Sequence, residues 1–303
     1  MTQPNATAAV PRSLPSQALG VLCVLASGSR GNCSVLVVPE GGTRRIILID
    51  AGLSPRRTFA LLRERHIDPW EVDAILFTHL DSDHAHLGWS KVSRLRAPFY
   101  IHSSHRGRAE RMGLCSRATE VFRESFTIGS GIRVDPELLA HDSLGVVAFR
   151  FDITSDEPNR SARVGFATDV GRPTAELIDH LRDSDVLALE SNYCPALQRA
   201  SNRPAFLKQR IMGGSGHLSN DQCVEVVHRI APRRSLVCLH LSQQCNRPDI
   251  VRSLHASAAY DLTIADQFRP TPWIDIQPRS TPLAPIVKTA RPQLALWATG
   301  GTT

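Results

Sequence analysis

The chain has 303 residues, 42% hydrophobic and 21% charged, with a formal net charge of +6 and a pI near 9.2. Such a balance suits one large globular domain or two small ones, and excludes disordered, collagenous and multi-span membrane classes. Arginine supplies 32 of the 35 basic residues. Its planar fork can make two hydrogen bonds to one phosphate, so the excess favours a polyanionic partner; a genome rich in arginine codons would leave the same mark.

In chain order, residues 1–18 are rich in Pro, Ser, Thr and Ala without periodicity, and read as a flexible tail. "ALGVLCVLA" (18–26) is nine residues of apolar chain, against the ~20 that span a bilayer. Only Arg12 precedes it as a basic residue, and no small-residue cleavage pattern follows, so neither a signal peptide nor a membrane span is expected. The seven cysteines are odd in number, scattered and never spaced C-x-x-C. They argue for a reducing compartment, hence a cytoplasmic protein, and read as core fillers.

"VLCVLAS", "CSVLVV" and "RRIILID" are strand-length runs separated by the turn formers "GSRGN" and "PEGGT". "SPRRTFALLRERH" reads as a helix capped by Ser54 with Pro55 in its first turn. "VDAILFTH" is a buried strand, followed by a helical stretch toward Leu95 and the strand "PFYIHSS". Residues 119–168 are strand-dominated. Then helices ("RPTAELIDHLR"; "PALQRASNRPAFLKQRI", broken at Pro204; "SNDQCVEVVHRIA"; one near 247–259) alternate with the strands "VLALES" and "SLVCLHLS". From about Gln277 the prolines at 278, 282, 285 and 292 mark a second tail or extension. The expected domain is therefore 19–276, an α/β or α+β unit with two sheets between outer helices.

Four segments place possible metal ligands just after apolar strands: "FTHLDSDH" (77–84), "LAHDS" (139–143), "FATDVG" (166–171) and "CLHLS" (238–242). Strand-end loops are where α/β folds put functional groups. Divalent ions want imidazole and carboxylate, and a close pair of ions wants a carboxylate that can bridge them. His79, Asp81, His141 and Asp169 can make one set; Asp83, His84, Asp169 and His240 make the other. Alone, each segment also reads as a helix cap, an Asx-turn or a buried core histidine.

The arrangement resembles the metallo-β-lactamase superfamily, whose first motif reads H-x-H-x-D-H. "LASGSRGNC", "ILIDAGLSPR", "AHDS", "TDVG", "LALESN", "RIMGGSGHLSN" and "LVCLHLSQQCNRP" resemble, in order, its WalJ/YycJ branch over about residues 21–250. The resemblance implies an αβ/βα sandwich of two mixed β-sheets flanked by helices. It also implies a binuclear metal-dependent phosphodiesterase, a DNA exonuclease in particular, with two divalent ions sharing a hydroxide and nucleic acid as substrate. Asp83, also a ligand, and His217 are the catalytic assignments, with His217 steadying or protonating the departing oxygen. Ser27, Ser29, Asn32, Lys208 and Arg210 are the substrate-contact candidates, and Asp50 is read as a structural group beside the site.

Two departures bear on this. Asp81 stands where the branch has histidine, replacing a neutral nitrogen donor by an anionic oxygen. That moves the first site from zinc toward harder ions such as Mn²⁺ and makes the shared water less acidic. His86 could reach back to replace the missing imidazole, or the first site could be degraded. Tyr193 and Cys194 stand where the branch often has histidine and aspartate. A small-molecule metallohydrolase, such as a cyclic phosphodiesterase or lactonase, and a non-catalytic nucleic-acid-binding relative stay open. His66, His102, His105, His180, His228 and His255 lack matching partners and are read as surface or core histidines. Oligomeric state is not legible.

Overall fold

The computed structural model describes residues 17–281 and 283, apart from 117, 142, 156 and 158. Strands β1 (Gly20–Ala26), β2 (Cys33–Glu40) and β3 (Thr43–Ile49) form an antiparallel meander. After helix α1 (Pro55–Glu64), β4 (Ala74–Leu76), β5 (Phe99–His102) and β6 (Thr119–Phe122) add in parallel. β14 (Ile274–Ile276) returns to pair with β1, giving the order β14-β1-β2-β3-β4-β5-β6.

The second sheet mirrors this plan. β7 (Phe126–Ile128), β8 (Ile132–Leu139), β9 (Val146–Thr154) and β10 (Ser161–Ala167) run antiparallel. β11 (Val186–Glu190), β12 (Ser235–Leu239) and β13 (Asp261–Ile264) then continue in parallel, to the order β13-β12-β11-β10-β9-β8-β7. Helices α2 (Arg106–Arg111), α3 (Ala175–Leu181), α4 (Pro195–Ala200), α5 (Ala205–Met212), α6 (Asn220–Ile230) and α7 (Pro248–Leu254) complete the chain.

The alternation of side chains along each strand explains the layers. Leu22, Val24, Leu36, Ile47 and Ile49 of the first sheet meet Phe149, Phe151, Val164, Val186 and Val237 of the second in a central core. Val21, Cys23, Val35, Ile46 and Leu48 face outward onto Leu61 and Leu62 of α1 and onto Trp89. Leu187, Leu189, Leu236 and Cys238 face outward onto α3, α6 and α7. This is the expected αβ/βα sandwich of two mixed sheets flanked by helices.

Three local expectations differ. The helical stretch toward Leu95 is only a 3₁₀ turn, Leu87–Lys91. Trp89 is fully buried there, and its indole N–H donates to the Leu53 carbonyl at 2.9 Å, so tertiary anchoring replaces a regular helix. The last helix is short, Pro248–Leu254. β13 and β14 are edge strands of four and three residues, too short to carry a readable period. The break at Pro204 falls where expected, between α4 and α5.

Residues 1–16 of the N-terminal tail and 284–303 of the C-terminal segment lie outside the described residues. Within the segment beginning at Gln277, Arg279 is buried and its backbone N–H donates to Ser161 at 2.9 Å. Its guanidinium bonds Asp185 at 2.7 and 3.0 Å and Asp183 at 2.6 Å.

Candidate metal centre

Both sheets end their parallel strands at the same edge of the sandwich, and the chain leaves each strand sharply there. Asp50 follows β3 with φ 60°, Asp169 follows β10 with φ 54°, and His240 follows β12 with φ 56°. Three non-glycine residues in the left-handed region within one small volume mark a place where the fold holds strained backbone for a purpose. The loop after β4 is pinned between the sheets. Val147 N–H donates to Thr78 O at 2.8 Å, and Ala51 N–H donates to His84 O at 2.8 Å. Gly52 is required here, because a Cβ at this position would lie 1.7 Å from the Asp83 carbonyl oxygen.

Side chains from the four strand-end segments come together. His79, Asp81 and His141 bring one donor atom each within 4.8 Å of one another, and so do Asp83, His84 and His240. Asp169 lies between them: Oδ2 is 3.0 Å from His84 Nε2, and Oδ1 is 3.8 Å from His240 Nε2. His79, His84 and Asp169 form a third such grouping. The loop carrying Asp83 and the strand end carrying His240 meet at 3.5 Å.

Behind the donors lies a layer of fixed acceptors. Asp50 is fully buried; it accepts from Thr78 N–H at 2.8 Å and from the Thr78 hydroxyl at 2.9 Å, and it holds His84 Nδ1 at 2.7 Å. A carboxylate on the far nitrogen orients an imidazole and raises its basicity toward a metal. Asn192 holds His240 through Nδ1 at 2.9 Å and the carbonyl at 2.7 Å. His141 Nδ1 lies 3.1 Å from the Gly216 carbonyl.

The electrostatics match a place built for cations. Burial resists charge on His84, yet Asp169 and Asp50 raise its pKa well above the ordinary imidazole value. Burial likewise resists charge on Asp169, yet His240, His84 and His217 hold its carboxyl well below the usual range. Asp83 is lowered against its burial by His240 and His84. His79 goes the other way: burial, then the neighbouring His84, drive it well below, leaving a neutral donor. Protons on imidazoles thus balance carboxylates that divalent ions would otherwise balance. His240 Nε2 is the clearest sign of fit, since it is buried and has no hydrogen-bond partner among the described residues. Nitrogen and oxygen donors with one unpaired imidazole nitrogen suit zinc or manganese.

Ser27 and Asn32 are buried: the Ser27 hydroxyl accepts from His240 N–H at 2.8 Å, and Asn32 Nδ2 lies 2.9 Å from His84 Nε2. They brace the ligand loops, while Ser29 is exposed. Lys208 turns toward α4, donating to the Arg199 carbonyl at 2.7 Å, and Arg210 is exposed on α5. His86 does not reach back. Its Nδ1 accepts from Gly88 N–H at 2.9 Å and caps the 3₁₀ turn. Asp142 lies outside the described residues.

Two participants were not singled out in the sequence. Glu190, at the end of β11, is fully buried; it holds His217 Nδ1 at 2.7 Å and accepts from Val170 N–H and Leu218 N–H at 3.0 Å. Against the cost of burial, Glu190 and Asp169 raise His217 to about 9, so it carries a proton at neutral pH. A carboxylate closing the apolar run of "LALESN" was the available signal. The second is Arg108 on α2, whose Nη2 donates to Asp81 Oδ1 at 2.8 Å while Asp81 Oδ2 lies 3.9 Å from His79 Nε2. The extra charge of Asp81 is therefore compensated, which removes the reason to expect a less acidic water. A helix of "RGRAER" composition offers no sequence clue that one guanidinium turns inward.

Residues 45–240 match the family described as Beta-lactamase superfamily domain. The chain belongs to the metallo-β-lactamase superfamily. Within it, the chain is 26% identical over 250 residues to the exodeoxyribonuclease WalJ of Streptococcus pneumoniae, covering 80% of this chain and 88% of that protein. It is 25% identical over 236 residues to the exodeoxyribonuclease YycJ of Bacillus anthracis, covering 76% and 85%. The metallo-β-lactamase fold protein YhfI of Bacillus subtilis superposes with a TM-score of 0.60 at 16% identity, over 82% of this chain and 98% of that one, which shows the fold. This superfamily member is a WalJ/YycJ-like, metal-dependent hydrolase using divalent ions. No helix among its described residues is long and apolar enough to cross a membrane.

Proposed function

We propose that this metallo-β-lactamase-fold hydrolase is a binuclear phosphodiesterase that acts on nucleic acid, as a DNA exonuclease of the WalJ/YycJ kind. The observation that carries the reading is the pair of donor triads, His79/Asp81/His141 and Asp83/His84/His240, with Asp169 reaching toward both. Divalent ions bound there would supply Lewis acidity and an acidified water at neutral pH. Asp169 would straddle the two positions; Asp50 and Asn192 fix the imidazoles of His84 and His240 so that only one nitrogen of each points inward. His217 would hold or protonate the departing oxygen, a role supported by the Glu190 carboxylate at 2.7 Å that favours its protonated form. The +6 charge draws the polyanion in. All seven cysteines are free, in keeping with a cytoplasmic location.

The direct assay uses duplexes labelled at the 5′ or the 3′ end, with Mn²⁺, Zn²⁺ and Mg²⁺ in parallel. Stepwise shortening whose KM rises steeply with salt is expected, because binding releases counterions from phosphates. Turnover of only small esters, indifferent to salt, would sink the nucleic-acid assignment. Asp81 makes Mn²⁺ the favoured ion by contributing oxygen in place of nitrogen. An Asp81→His variant is expected to shift the best-supporting ion from Mn²⁺ toward Zn²⁺ by about tenfold in relative kcat/KM, roughly 1.4 kcal/mol. An unchanged Mn²⁺/Zn²⁺ ratio would show that Asp81 serves Arg108 rather than a metal.

A further inference from the structure

On the helix-covered face of the second sheet, a different donor set comes together. Cys223 on α6, Cys238 on β12 and His255 at the end of α7 place two sulfurs and an imidazole nitrogen within 4.8 Å of one another. Both thiols are fully buried, and His255 is only 6% exposed. The ring is oriented from behind, with Nδ1 2.6 Å from the Tyr260 hydroxyl. Its other nitrogen, Nε2, is buried and meets no oxygen or nitrogen partner among the described residues, the Cys223 thiol being the group beside the ring. A buried polar atom of this kind is costly unless something satisfies it.

We propose that Cys223, Cys238 and His255 form a zinc site of two thiolates and one imidazole, distinct from the hydrolytic centre. In the tautomer whose Nδ1–H donates to the Tyr260 oxygen, the lone pair is left on Nε2, free to bind a cation. Thiolate and imidazole together select borderline-soft cations. Two thiolates and one Zn²⁺ also sum to zero charge, which suits a buried apolar surround better than any arrangement leaving a net charge. On binding, two S–H bonds lose their protons to solvent and two Zn–S bonds form. The Ser191 hydroxyl, which donates to Asn220 Oδ1 at 2.8 Å and favours the Cys223 thiolate, offers an oxygen for a fourth position.

The location gives the site a consequence. α6 starts at the Ser219 capping box, immediately after the segment carrying His217. β12 ends at Leu239, one residue before His240. Strand alternation turns Cys238 toward the helices and Leu239 into the central core. A cation clamping α6 to β12 and α7 would hold the supports of His217 and His240 together without touching substrate.

Cobalt(II) titrated into the reduced, metal-stripped full-length chain reads this directly, because the hydrolytic centre offers only nitrogen and oxygen donors. A near-ultraviolet sulfur-to-cobalt charge-transfer band is expected, reaching the amplitude of one thiolate site per chain by three added equivalents, two of which the hydrolytic centre takes up without it. Zinc should bleach it, and Cys223→Ser and Cys238→Ser should each remove it. A wild-type spectrum without that band overturns the proposal whether or not the variants fold. So does a band surviving in both serine variants, or thiol mapping of freshly isolated protein that finds these two cysteines joined to each other.

Discussion

Asp169→Asn is expected to lower turnover of bis-p-nitrophenyl phosphate at least about a thousandfold, roughly 4 kcal/mol of transition-state stabilisation. The carboxylate sits 3.0 Å from His84 Nε2, 3.3 Å from His217 Nδ1 and 3.8 Å from His240 Nε2, and within 4.8 Å of a His79 ring nitrogen, so one residue lies against members of both donor triads and against His217. Asparagine keeps the size and tolerates the left-handed φ of 54°. The backbone can therefore stay where it is, and the loss isolates the charge. Steady-state rates at saturating Mn²⁺ or Zn²⁺, with thermal unfolding as a control on folding, measure it. A variant within tenfold of wild type would remove Asp169 from the centre.

The second large effect concerns stability. Arg279→Ala is expected to cost about 3–5 kcal/mol, the penalty for removing one partner of a buried ion pair. Asp185 is fully buried, and its Oδ2 accepts from Arg163 N–H at 2.7 Å as well as from the Arg279 guanidinium at 2.7 and 3.0 Å. Without Arg279 that carboxylate keeps one neutral donor and no countercharge. The same guanidinium ties Asp183, so the turn between α3 and β11 loosens too. Urea unfolding gives the number. A cost below about 1 kcal/mol would mean that water or a neighbouring arginine takes over.

These two residues also show what the sequence discloses. The place of Asp169 among the clustered imidazoles was readable because "FATDVG" puts a carboxylate after an apolar strand, beside three other such segments. The alternating sheets were readable for the same reason, since long apolar runs bounded by turn formers have few other ways to fold. Arg279 was not. It sits in a proline-bearing stretch without period, and its importance lies entirely in a partner 94 positions away. Arg108 and Glu190 fall in the same class: a surface-looking helix and a strand end give no sign of what faces them. Short edge strands such as Ile274–Ile276 form because β1 offers unpaired backbone, and no local pattern is needed. Ser27 and Asn32 are a like case. Nothing local in "SGSRGN" shows that the Ser27 hydroxyl accepts from His240 N–H or that Asn32 Nδ2 lies against His84 Nε2.

Anomalous diffraction from crystals grown with Mn²⁺ tests the paired-cation reading most directly. Two peaks about 3.5–4 Å apart are predicted, one beside His79, Asp81 and His141, the other beside Asp83, His84 and His240, with an Asp169 oxygen on each. A single peak, or none with the imidazoles still bonded to carboxylates alone, would contradict it.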